Sequence, residues 1–494
     1  MYKNIVITSV PLSETSAPIM APAVLKSIAA KAGVSSRAFD LNAVVYKILN
    51  THPQKTDLMN FFYWEQVAPD IQLEVEIQKI FHVMVDEIMK TQPDLICLSL
   101  LHYQCQVTAK WLCYHLKKYY PDIKIVIGGT GIKGELVAKE STYAKELVRL
   151  GLIDYYIVGD GENAFYELLI DHHEYLGINS NDWIGVDDLN TLPYPNYDDY
   201  DFSLYESPFI GILGSRGCVR QCTFCDVHEH WKKFNYRSSQ NIFEEMISQN
   251  KKYGSRYFKF QDSLVNGNVK EYNQLIELLA EHNRNNPNNA LHWSSYFIFR
   301  PASQMSETHW KLTAESGAYV LNVGIESLVE KNRYHLKKNF SNQDVEDNLA
   351  MAKKYGIKIF FITLIGYVTE TEEDHQSSLQ WLRDHAHYAD DPIYRLSVGG
   401  TLAILPNTWL DRNQEQLGIT WLEGPTSMHN GSNHLWEVKS TGNNYETRIR
   451  RLNEMIQVGE ECGFKIHYAT IDPQKELENI ISKQMKDHAY THHI

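Results

Sequence analysis

The chain has 494 residues and a formal net charge of −14, with 47 basic and 61 acidic side chains. Its 43% hydrophobic and 22% charged residues are typical of globular proteins and exclude disordered and fibrous classes. The acidic balance argues against a general nucleic-acid binder, because phosphate binding requires a surplus of Lys and Arg. At roughly 150 residues per domain, the length indicates about two to four domains.

The sequence predicts a protein of the cytoplasm without a membrane partner. No stretch approaches the roughly 18 uncharged apolar residues that a membrane span requires. The N-terminus lacks the basic start, apolar stretch and cleavage site of a signal peptide. In a reducing compartment a tight cysteine group indicates a metal site, and three of the seven cysteines fall within eight positions, namely Cys218, Cys222 and Cys225.

Strand candidates alternate with helical stretches in the first part of the chain. This alternation predicts an open, doubly wound α/β domain, with strands at residues 5–10, 36–40, 94–98, 124–127 and 155–158. Along the whole chain, five helical stretches end in Gly before a strand-like run, at Gly33, Gly254, Gly317, Gly356 and Gly463. Gly suits the left-handed position after a helix. Repeated junctions of this kind predict βαβ units and mostly parallel sheet.

The second part of the chain begins after residues 186–207, which are rich in Pro, Asp and Tyr and predict an ordered linker. Right-handed crossovers would curl the next strands into a full or partial barrel, with candidates at 209–213, 257–260, 293–299, 319–323, 357–365 and 394–398. From about residue 401 a polar loop, a long helix at 445–461 and a charged tail follow. The sequence is equally consistent with two roles for this extension, a substrate-facing appendage and a stabilising cap.

The cysteine triplet follows a strand and a Gly-rich turn with the spacing C-x-x-x-C-x-x-C. Iron–sulfur clusters usually take four cysteines, so three leave one iron open. An open position is what a reactive metal centre needs and a purely structural site lacks. Phe224 could pack over the cluster or a bound adenine. The alternative is a structural Cys₃His zinc site that includes His228 or His230.

This spacing after the first strand of a (β/α) series resembles the radical S-adenosylmethionine (radical SAM) superfamily. The resemblance implies that Cys218, Cys222 and Cys225 hold a [4Fe–4S] cluster whose fourth iron is chelated by SAM. One electron from the cluster then cleaves SAM to methionine and a 5′-deoxyadenosyl radical, which abstracts hydrogen from the substrate. The resemblance also implies an external electron donor such as flavodoxin or ferredoxin.

Later segments resemble the SAM-contacting segments of that superfamily. Glu326 in "LNVGIESL", Asp262 in "FKFQDSLV" and Gly366 in "LIGYVTETEED" are the SAM contacts that the resemblance implies, together with Phe224. Each also has a plain structural interpretation. Glu326 could form an ordinary ion pair, Asp262 could cap a turn or helix, and Gly366 could serve only a tight turn.

Two segments depart from the family pattern. Tyr367 and Val368 stand where Pro and Gly are usual, which puts backbone contacts to SAM there in doubt. Near the end of the barrel, Leu405-Pro406-Asn407-Thr408 is a partial match to a Pro-Gly-Thr turn.

The segments "PDLICLSL", "IKIVIGGTG" and "LIDYYIVGDGENAFYELL" resemble the cobalamin-binding domain that precedes the barrel in one large class of the superfamily, with Asp160 in place of the usual Glu. The class implies a Rossmann-like domain at 1–185, a linker at 186–207, a partial (β/α)6 TIM-like barrel at 208–400 and a small α+β extension at 401–494. Its cobalamin contacts are then expected at Ser99, His102, Gly128, Gly129, Gly131, Gly159 and Glu162. Small residues there let a large ring approach the backbone. The D-x-H-x-x-G segment that supplies a cobalt ligand is absent, and for His102 a polar lining or core role competes with cobalt ligation.

The leading hypothesis is a radical SAM enzyme with cobalamin that methylates an unactivated carbon of a small-molecule or peptide substrate. Methyl transfer rests on the resemblance alone, and no catalytic side chain is assigned. A radical SAM enzyme that rearranges, oxidises or forms carbon–sulfur bonds without cobalamin is the enzymatic alternative. A metal-stabilised binding or sensor protein is the non-enzymatic one.

Overall fold

The computed structural model describes residues 2–12, 17–65, 71–132, 142–181, 183–205, 209–422 and 433–468. Two compact units divide the chain: a first unit of residues 1–212 and 249–255, and a second unit of residues 213–248 and 256–494. Among the helices in the described ranges, none combines the length and the apolar character that crossing a bilayer requires.

A parallel sheet of five strands, in the order β2-β1-β3-β4-β5, organises the first unit. Its strands are β1 (Asn4–Ser9), β2 (Ser35–Phe39), β3 (Leu95–Ser99), β4 (Lys124–Gly128) and β5 (Tyr155–Ile157). Its helices are α1 (Met20–Lys31), α2 (Leu41–Thr51), α3 (Lys55–Trp64), α4 (Ile71–Met89), α5 (Cys105–Tyr119), α6 (Thr142–Arg149) and α7 (Gly161–Leu169).

The alternating side chains of β1 show that this sheet is buried on both faces. Val6 belongs to one hydrophobic cluster, whereas Ile5 and Ile7 belong to another. A strand buried on both faces reads as a continuous apolar run. The order in which successive strands are added reverses between β1 and β3. Open α/β sheets bind ligands at such a point, at the carboxyl ends of their strands. The prediction of a doubly wound, Rossmann-like domain is confirmed.

A second sheet of seven strands has the order β16-β13-β12-β11-β10-β9-β6. Its members are β6 (Phe209–Ile212), β9 (Tyr257–Phe260), β10 (His292–Phe297), β11 (Ala318–Glu326), β12 (Lys358–Ile365), β13 (Ile393–Thr401) and β16 (Ile466–Tyr468). Two short antiparallel pairs accompany it, β7 (Ser215–Arg216) with β8 (Asn235–Tyr236) and β14 (Ile419–Trp421) with β15 (Trp436–Val438).

Ten helices lie in this later part of the described chain. They are α8 (Val227–His230), α9 (Ser239–Tyr253), α10 (Val269–Asn285), α11 (Glu307–Glu315), α12 (Glu330–His335), α13 (Asn342–Lys354), α14 (Glu372–Asp384), α15 (Trp409–Arg412), α16 (Gln414–Leu417) and α17 (Tyr445–Glu461). Six of the seven sheet strands match the predicted ones. Within this sheet the neighbouring strands pair in parallel from β9 through β10, β11, β12 and β13 to β16. The strand order is that of a partial barrel, as predicted.

The glycines at the helix ends adopt the predicted conformation. All five have positive φ, from 69° at Gly356 to 90° at Gly317. The prediction of left-handed helix ends is therefore confirmed. The edge strand β16 was not predicted, because a run of three residues after Gly463 carries too little pattern to identify a strand.

Residues 186–205 are fixed to the first unit by hydrogen bonds. The N–H of Asn196 donates to the carbonyl of Ala23 at 2.9 Å. The hydroxyl of Tyr200 donates to the carbonyl of Ile19 at 2.9 Å, and that of Tyr205 donates to the buried carboxylate of Asp40 at 2.9 Å. Side-chain and backbone contacts to helix starts therefore order a segment that has only two short 3₁₀ turns of its own.

We expect Gly131→Ala to destabilise the first unit. A methyl group at Gly131 would lie 2.4 Å from the carbonyl oxygen of His102, so this substitution should lower the free energy of unfolding by about 1–3 kcal/mol through overpacking. Urea unfolding of the full chain measures the change. Gly161→Ala is the control, since its nearest neighbour is 4.0 Å away. Equal effects of the two variants would contradict the close approach at Gly131.

Candidate functional site

The three cysteines lie on a loop that is closed at its base by a small hairpin. The pairing of β7 with β8 encloses residues 217–234, which carry the cysteines and α8. Gly217 precedes Cys218 with a φ of +81°, and a Cβ there would lie 2.8 Å from the carbonyl oxygen of Lys233. The two ends of this cysteine loop are therefore in direct contact, which only Gly at position 217 allows.

The three cysteines of the loop differ in burial, and two of them are partly exposed. Cys222 is buried, and Cys218 and Cys225 are half-buried, all as free thiols. Burial raises the pKa of Cys222 and raises that of Cys225 to about 12. The N–H of Arg220 donates to Sγ of Cys218 at 3.4 Å. Hydrogen bonds to cysteine sulfur are among the means by which proteins tune iron–sulfur clusters, so the loop fits such a group.

The two nearby histidines are occupied by other partners. Nε2 of His228 donates to the carbonyl of Arg220, and Nε2 of His230 lies 3.2 Å from Oδ2 of Asp226. Within the described residues, no three Cys, His, Asp or Glu side chains are arranged around a single metal ion. Each cysteine of a [4Fe–4S] cluster binds a different iron, so its thiolates need not converge on one point.

Thr223, between the second and third cysteines, is fully buried and hydrogen-bonded at all of its polar groups. Its N–H donates to the carbonyl of Leu336 at 3.3 Å, and its carbonyl accepts from the N–H of Leu410 at 3.1 Å. Its hydroxyl lies 2.9 Å from the hydroxyl of Tyr367. The loop is thus fixed to the end of α12, to α15 and to the turn after β12.

Phe224 packs on the inner side of the loop. It lies against a hydrophobic cluster formed by Leu336, Tyr367, Val368, Leu402, Ile404, Leu410, Ile419, Trp436 and Val438. Most members come from the stretch after residue 401, which therefore contributes directly to the loop's support. On the outer side Val219 is 43% exposed, so the loop has a core side and a solvent side.

Glu326 ends β11 in a left-handed conformation with a φ of +62°. Its Oε1 lies 2.9 Å from Nζ of Lys338, and both side chains are largely buried. Burial alone would lower the pKa of the Lys338 ammonium, but Glu326 and the sulfur of Cys222 together raise it. A Cβ at Gly324 would lie 2.4 Å from Oε1 of Glu326, so Gly324 makes room for the pair.

Asp262 supports the start of the cysteine loop from beneath. One carboxylate oxygen accepts from the N–H of Gly214 at 2.7 Å, and the other accepts from the hydroxyl of Ser215 at 2.6 Å. A Cβ at Gly214 would come within 2.8 Å of this carboxylate. Both oxygens are therefore engaged by the chain, which favours a supporting role over the direct SAM contact that the sequence predicts.

The turn at Gly366 is held from the C-terminal side. Gly366 has a φ of +79°, and a Cβ there would lie 2.4 Å from the Arg448 side chain. Its N–H donates to Glu370 at 3.2 Å, and its carbonyl accepts from the side-chain amide of Asn443 at 3.1 Å. A tight turn alone explains this glycine. In the partial Pro-Gly-Thr match, Asn407 has a φ of +62°, so Asn adopts the conformation that Gly would have.

The glycines at the carboxyl edge of the first sheet pack against their own chain. A Cβ at Gly129 would lie 2.3 Å from the carbonyl oxygen of Leu100, and one at Gly159 would lie 2.8 Å from the ring of Trp183. Gly128 and Gly161 have more room, with nearest neighbours at 3.7 and 4.0 Å. At Gly129, Gly131 and Gly159 the fold itself therefore requires Gly, whatever approaches from outside.

His102 lies at the same edge, between exposed apolar side chains. Burial lowers the pKa of its imidazole, and Sγ of Cys105 lies 3.9 Å from its Nδ1. Leu101 and Tyr103 beside it are 50% and 39% exposed. Ser99 ends β3 half-buried, and Glu162 is buried in the first turn of α7. This edge thus exposes apolar side chains on both sides of His102.

Comparison with known proteins identifies the second unit. Residues 212–382 match the family model described as "Radical SAM superfamily". These residues form a radical SAM domain. The chain is 27% identical over 220 residues to cytidylyl-2-hydroxyethylphosphonate methyltransferase of Streptomyces wedmorensis, which covers 40% of this chain and 39% of that protein. It is 22% identical over 321 residues to an uncharacterized methyltransferase of Pyrococcus horikoshii, which covers 60% and 65%. Both matches span less than two thirds of the relative.

A solved structure resembles this radical SAM protein over both units. The radical S-adenosylmethionine methyltransferase TsrM from Kitasatospora setae, with cobalamin and a [4Fe–4S] cluster bound, matches with a TM-score of 0.68 at 14% identity and covers 96% of this chain and 92% of that one. At that identity the likeness shows the fold. The architecture is the predicted one, in which a Rossmann-like domain precedes the radical SAM unit.

The radical SAM unit brings most of its predicted residues together. Lys338 lies near both Glu326 and the cysteine loop, with Nζ 6.0 Å from the ring centroid of Phe224. The Thr223–Tyr367 hydrogen bond joins the loop to the turn at Gly366. The first unit holds the other predicted residues, namely Ser99, His102, Gly128, Gly129, Gly131, Gly159 and Glu162.

Sequence reasoning missed Lys338 and Thr223. The local sequence around Lys338 looks like an ordinary exposed basic helix end, "HLKKNF". The one unusual feature, left-handed backbone at Lys337 and Asn339 on either side of it, appears only in the structure. The sequence around Thr223 contains no pattern that marks it as important. Its hydrogen-bond partners Leu336 and Leu410 lie 113 and 187 positions away along the chain.

Asp262→Asn should flatten the pH dependence of stability. Burial raises the pKa of the Asp262 carboxyl from 3.8 to about 6, although hydrogen bonds from Ser215 and Gly214 oppose the shift. Because the folded state binds this proton more tightly than the unfolded chain, the stability it contributes is lost as the pH rises through about 6. The advantage of Asp262→Asn over the wild type should grow by about 1.4 kcal/mol between about pH 5 and about pH 7.5.

Urea unfolding at the two pH values measures this difference. Asn can accept from Gly214 and donate to Ser215, whose hydroxyl then turns to the carbonyl of Leu264, 3.4 Å away. Asp122→Asn, at an exposed position, is the control and should leave the pH profile unchanged. A profile of Asp262→Asn parallel to the wild type would show that the carboxyl does not titrate in this range.

Proposed function

We propose that this chain is a radical SAM enzyme that methylates an unactivated carbon with the help of cobalamin. The observation that carries the proposal is the half-buried cysteine loop at the carboxyl end of β6, fixed on its inner side and open on its outer side. Active sites of (β/α) barrels lie at this end of the strands. When bound to Cys218, Cys222 and Cys225, a [4Fe–4S] cluster supplies the electron that cleaves SAM to methionine and a 5′-deoxyadenosyl radical.

The chain's own residues position and shield the reactants in this proposal. Thr223 holds the loop in one conformation, and Phe224 with its apolar neighbours keeps water from its inner side. The Glu326–Lys338 pair places one charge of each sign beside the loop. SAM carries an amino group, a carboxylate and ribose hydroxyls, so charges of both signs suit its polar end. The difficult chemistry belongs to the cofactors, and the protein supplies orientation and exclusion of water.

Cobalamin and methyl transfer are supported by the relatives and by the first unit. Two relatives carry the name methyltransferase, and the solved TsrM structure holds cobalamin. In this chain the exposed Leu101 and Tyr103 beside His102 offer an apolar floor to a flat ring at the β1/β3 edge. When bound at this edge, methylcobalamin would supply the methyl group for the substrate carbon.

Substitution of the loop cysteines tests the cluster. Cys218→Ala, Cys222→Ala and Cys225→Ala should each lose most bound iron and sulfide after anaerobic reconstitution, and should form no 5′-deoxyadenosine from SAM. Cys462→Ala is the matched control, because this half-buried free thiol lies at the end of α17, outside the cysteine loop. Iron and sulfide analysis with chromatography of 5′-deoxyadenosine measures both properties.

The remaining outcomes separate the alternatives. Zinc in place of iron, with no SAM cleavage, would overturn the enzymatic proposal and leave a metal-stabilised binding protein. SAM cleavage without retention of added cobalamin would remove methyl transfer and leave a radical SAM enzyme of another reaction class.

We propose further that the electron enters from an external acidic carrier such as flavodoxin or ferredoxin. Between residues 215 and 236 the chain has Arg216, Arg220, Lys232 and Lys233, and its two acids, Asp226 and Glu229, are paired with His230 and Arg412. This segment is thus basic in a chain of net charge −14, and its Lys232 and Lys233 are exposed. Complementary charge steers association, so a basic surface beside the loop suits an acidic partner.

Charge reversal tests this partner. Lys232→Glu with Lys233→Glu should lower the rate of cluster reduction by reduced flavodoxin by about tenfold at low salt and should remove most of its salt dependence. Reduction by dithionite should be unchanged. Lys311→Glu is the control, on α11 with its side chain 61% exposed. Equal rates for the control and the double variant would contradict docking at this surface.

A further inference from the structure

Tyr367 joins the cysteine loop to the turn after β12 through its hydroxyl. The residue is 2% exposed, and its hydroxyl lies 3.1 Å from the carbonyl oxygen of His335 and 2.9 Å from the hydroxyl of Thr223. A carbonyl only accepts, so the single Tyr367 proton goes to His335. The hydroxyl of Thr223 therefore donates to Tyr367. This assignment satisfies every group in the chain of hydrogen bonds.

The ring and the hydroxyl of Tyr367 serve different purposes. The ring packs in the hydrophobic cluster with Leu336, Leu410 and Trp436, and a Phe ring would fill the same volume. Burying a hydroxyl without hydrogen-bond partners would cost free energy, so packing alone does not account for the Tyr367 hydroxyl. Its contacts are with the cysteine loop and the end of α12. The Tyr367 hydroxyl is therefore explained by its hydrogen bonds to these two segments.

A separate contact already joins the end of α12 to the same turn. Nδ1 of His335 lies 2.9 Å from the hydroxyl of Thr369. Loss of the Tyr367 hydroxyl would therefore leave α12 and the turn connected. Thr223 would keep its two backbone hydrogen bonds and lose its side-chain contact. The segment between Cys222 and Cys225 is the part that would gain freedom.

We propose that the Tyr367 hydroxyl is a positioning group that, through Thr223, fixes the Cys222–Cys225 segment of the cysteine loop in its ligating conformation. It also couples this segment to the turn at Gly366. Cluster ligation by this segment rests on the proposed function, whereas its conformation is a property of the chain without any cofactor.

Thiol accessibility in the metal-free protein tests the loop directly. Buried thiols react through local opening, so the rate of alkylation by iodoacetamide, resolved by mass spectrometry, reports that opening. Tyr367→Phe should speed alkylation of the buried Cys222 by about fivefold, the factor that loss of a hydrogen bond of about 1 kcal/mol produces, and should change alkylation of the half-buried Cys225 in the same direction. Cys113, buried on α5, is the internal reference and should be unaffected.

The chain offers a matched control for the lost hydroxyl. Tyr272 and Thr313 form a second buried Tyr–Thr hydrogen bond of 2.8 Å between α10 and α11 in the same unit. Tyr272→Phe removes the same kind of bond without removing any hydrogen bond to Thr223, and should leave alkylation of Cys222 and Cys225 at the wild-type rate. Equal acceleration by both variants would mean a general loss of stability and would overturn the proposal. So would wild-type rates in Tyr367→Phe.

Thr223→Val breaks the same hydrogen bond from its other end. It should accelerate alkylation to a similar degree, and the double variant should add little to either single one, because both remove one interaction. Additive effects would overturn the proposed link. Thr223→Val also decides the matter if Tyr367→Phe does not fold, as judged by circular dichroism.

The reconstituted protein provides the ligation readout. Loss of iron to a chelator should be about fivefold faster in Tyr367→Phe than in Tyr272→Phe, and unchanged iron loss would overturn the link to ligation. If the wild-type chain takes up no cluster, the proposed function fails. The alkylation rates then still decide whether the hydroxyl holds the loop.

Discussion

The hydrogen bonds to Thr223 are the constraint on which the candidate site depends. The cysteine loop has only one short helix, and sheet ladders cannot fix a backbone that runs beyond the strands. Its central residue is instead bound to α12, α15 and the turn after β12, three segments separated widely in sequence. Functional loops are positioned by the rigid scaffold beneath them. Here three of those hydrogen-bond contacts converge on a single threonine between two cysteines.

The C-terminal stretch belongs to that scaffold. Asn443 and Arg448 hold the turn at Gly366, and the guanidinium of Arg448 lies 3.7 Å from the ring centroid of Trp436. Arg451 pairs with the buried Glu370 at 3.1 Å. The extension was predicted equally as a substrate-facing appendage or a stabilising cap, and these contacts favour support. An acidic chain thus uses buried arginines, because their several donors can satisfy many carbonyls at once.

Much of the fold follows from local sequence. Strands of the first sheet read as apolar runs because both of their faces are buried, and each α-Gly-β junction marks a helix end that requires left-handed backbone. The cysteine spacing is local as well, since three ligands on one loop need no other element to bring them near. These features depend on neighbours within a few residues, and the sequence is sufficient to predict them.

The candidate site is less predictable where its contacts are distant. Asp262 and Glu326 were both expected to contact SAM, but their structural partners differ. The carboxylate of Asp262 is taken by Gly214 and Ser215, 48 and 47 positions away, whereas Glu326 pairs with Lys338 beside the loop. Strand β16 and the β7–β8 hairpin are too short to carry a periodic pattern.

The sequence by itself therefore determined the doubly wound first domain, the (β/α) series of the second unit and the cysteine triplet, because each is written in residue spacing over short distances. Only the tertiary structure decided which side chains face the loop, which glycines are required by the chain itself, and that the C-terminal stretch supports the turn at Gly366. The physical reason is that hydrogen bonds and close packing act between surfaces that folding brings together. The local sequence around a residue does not indicate which distant residue it will contact across such a surface.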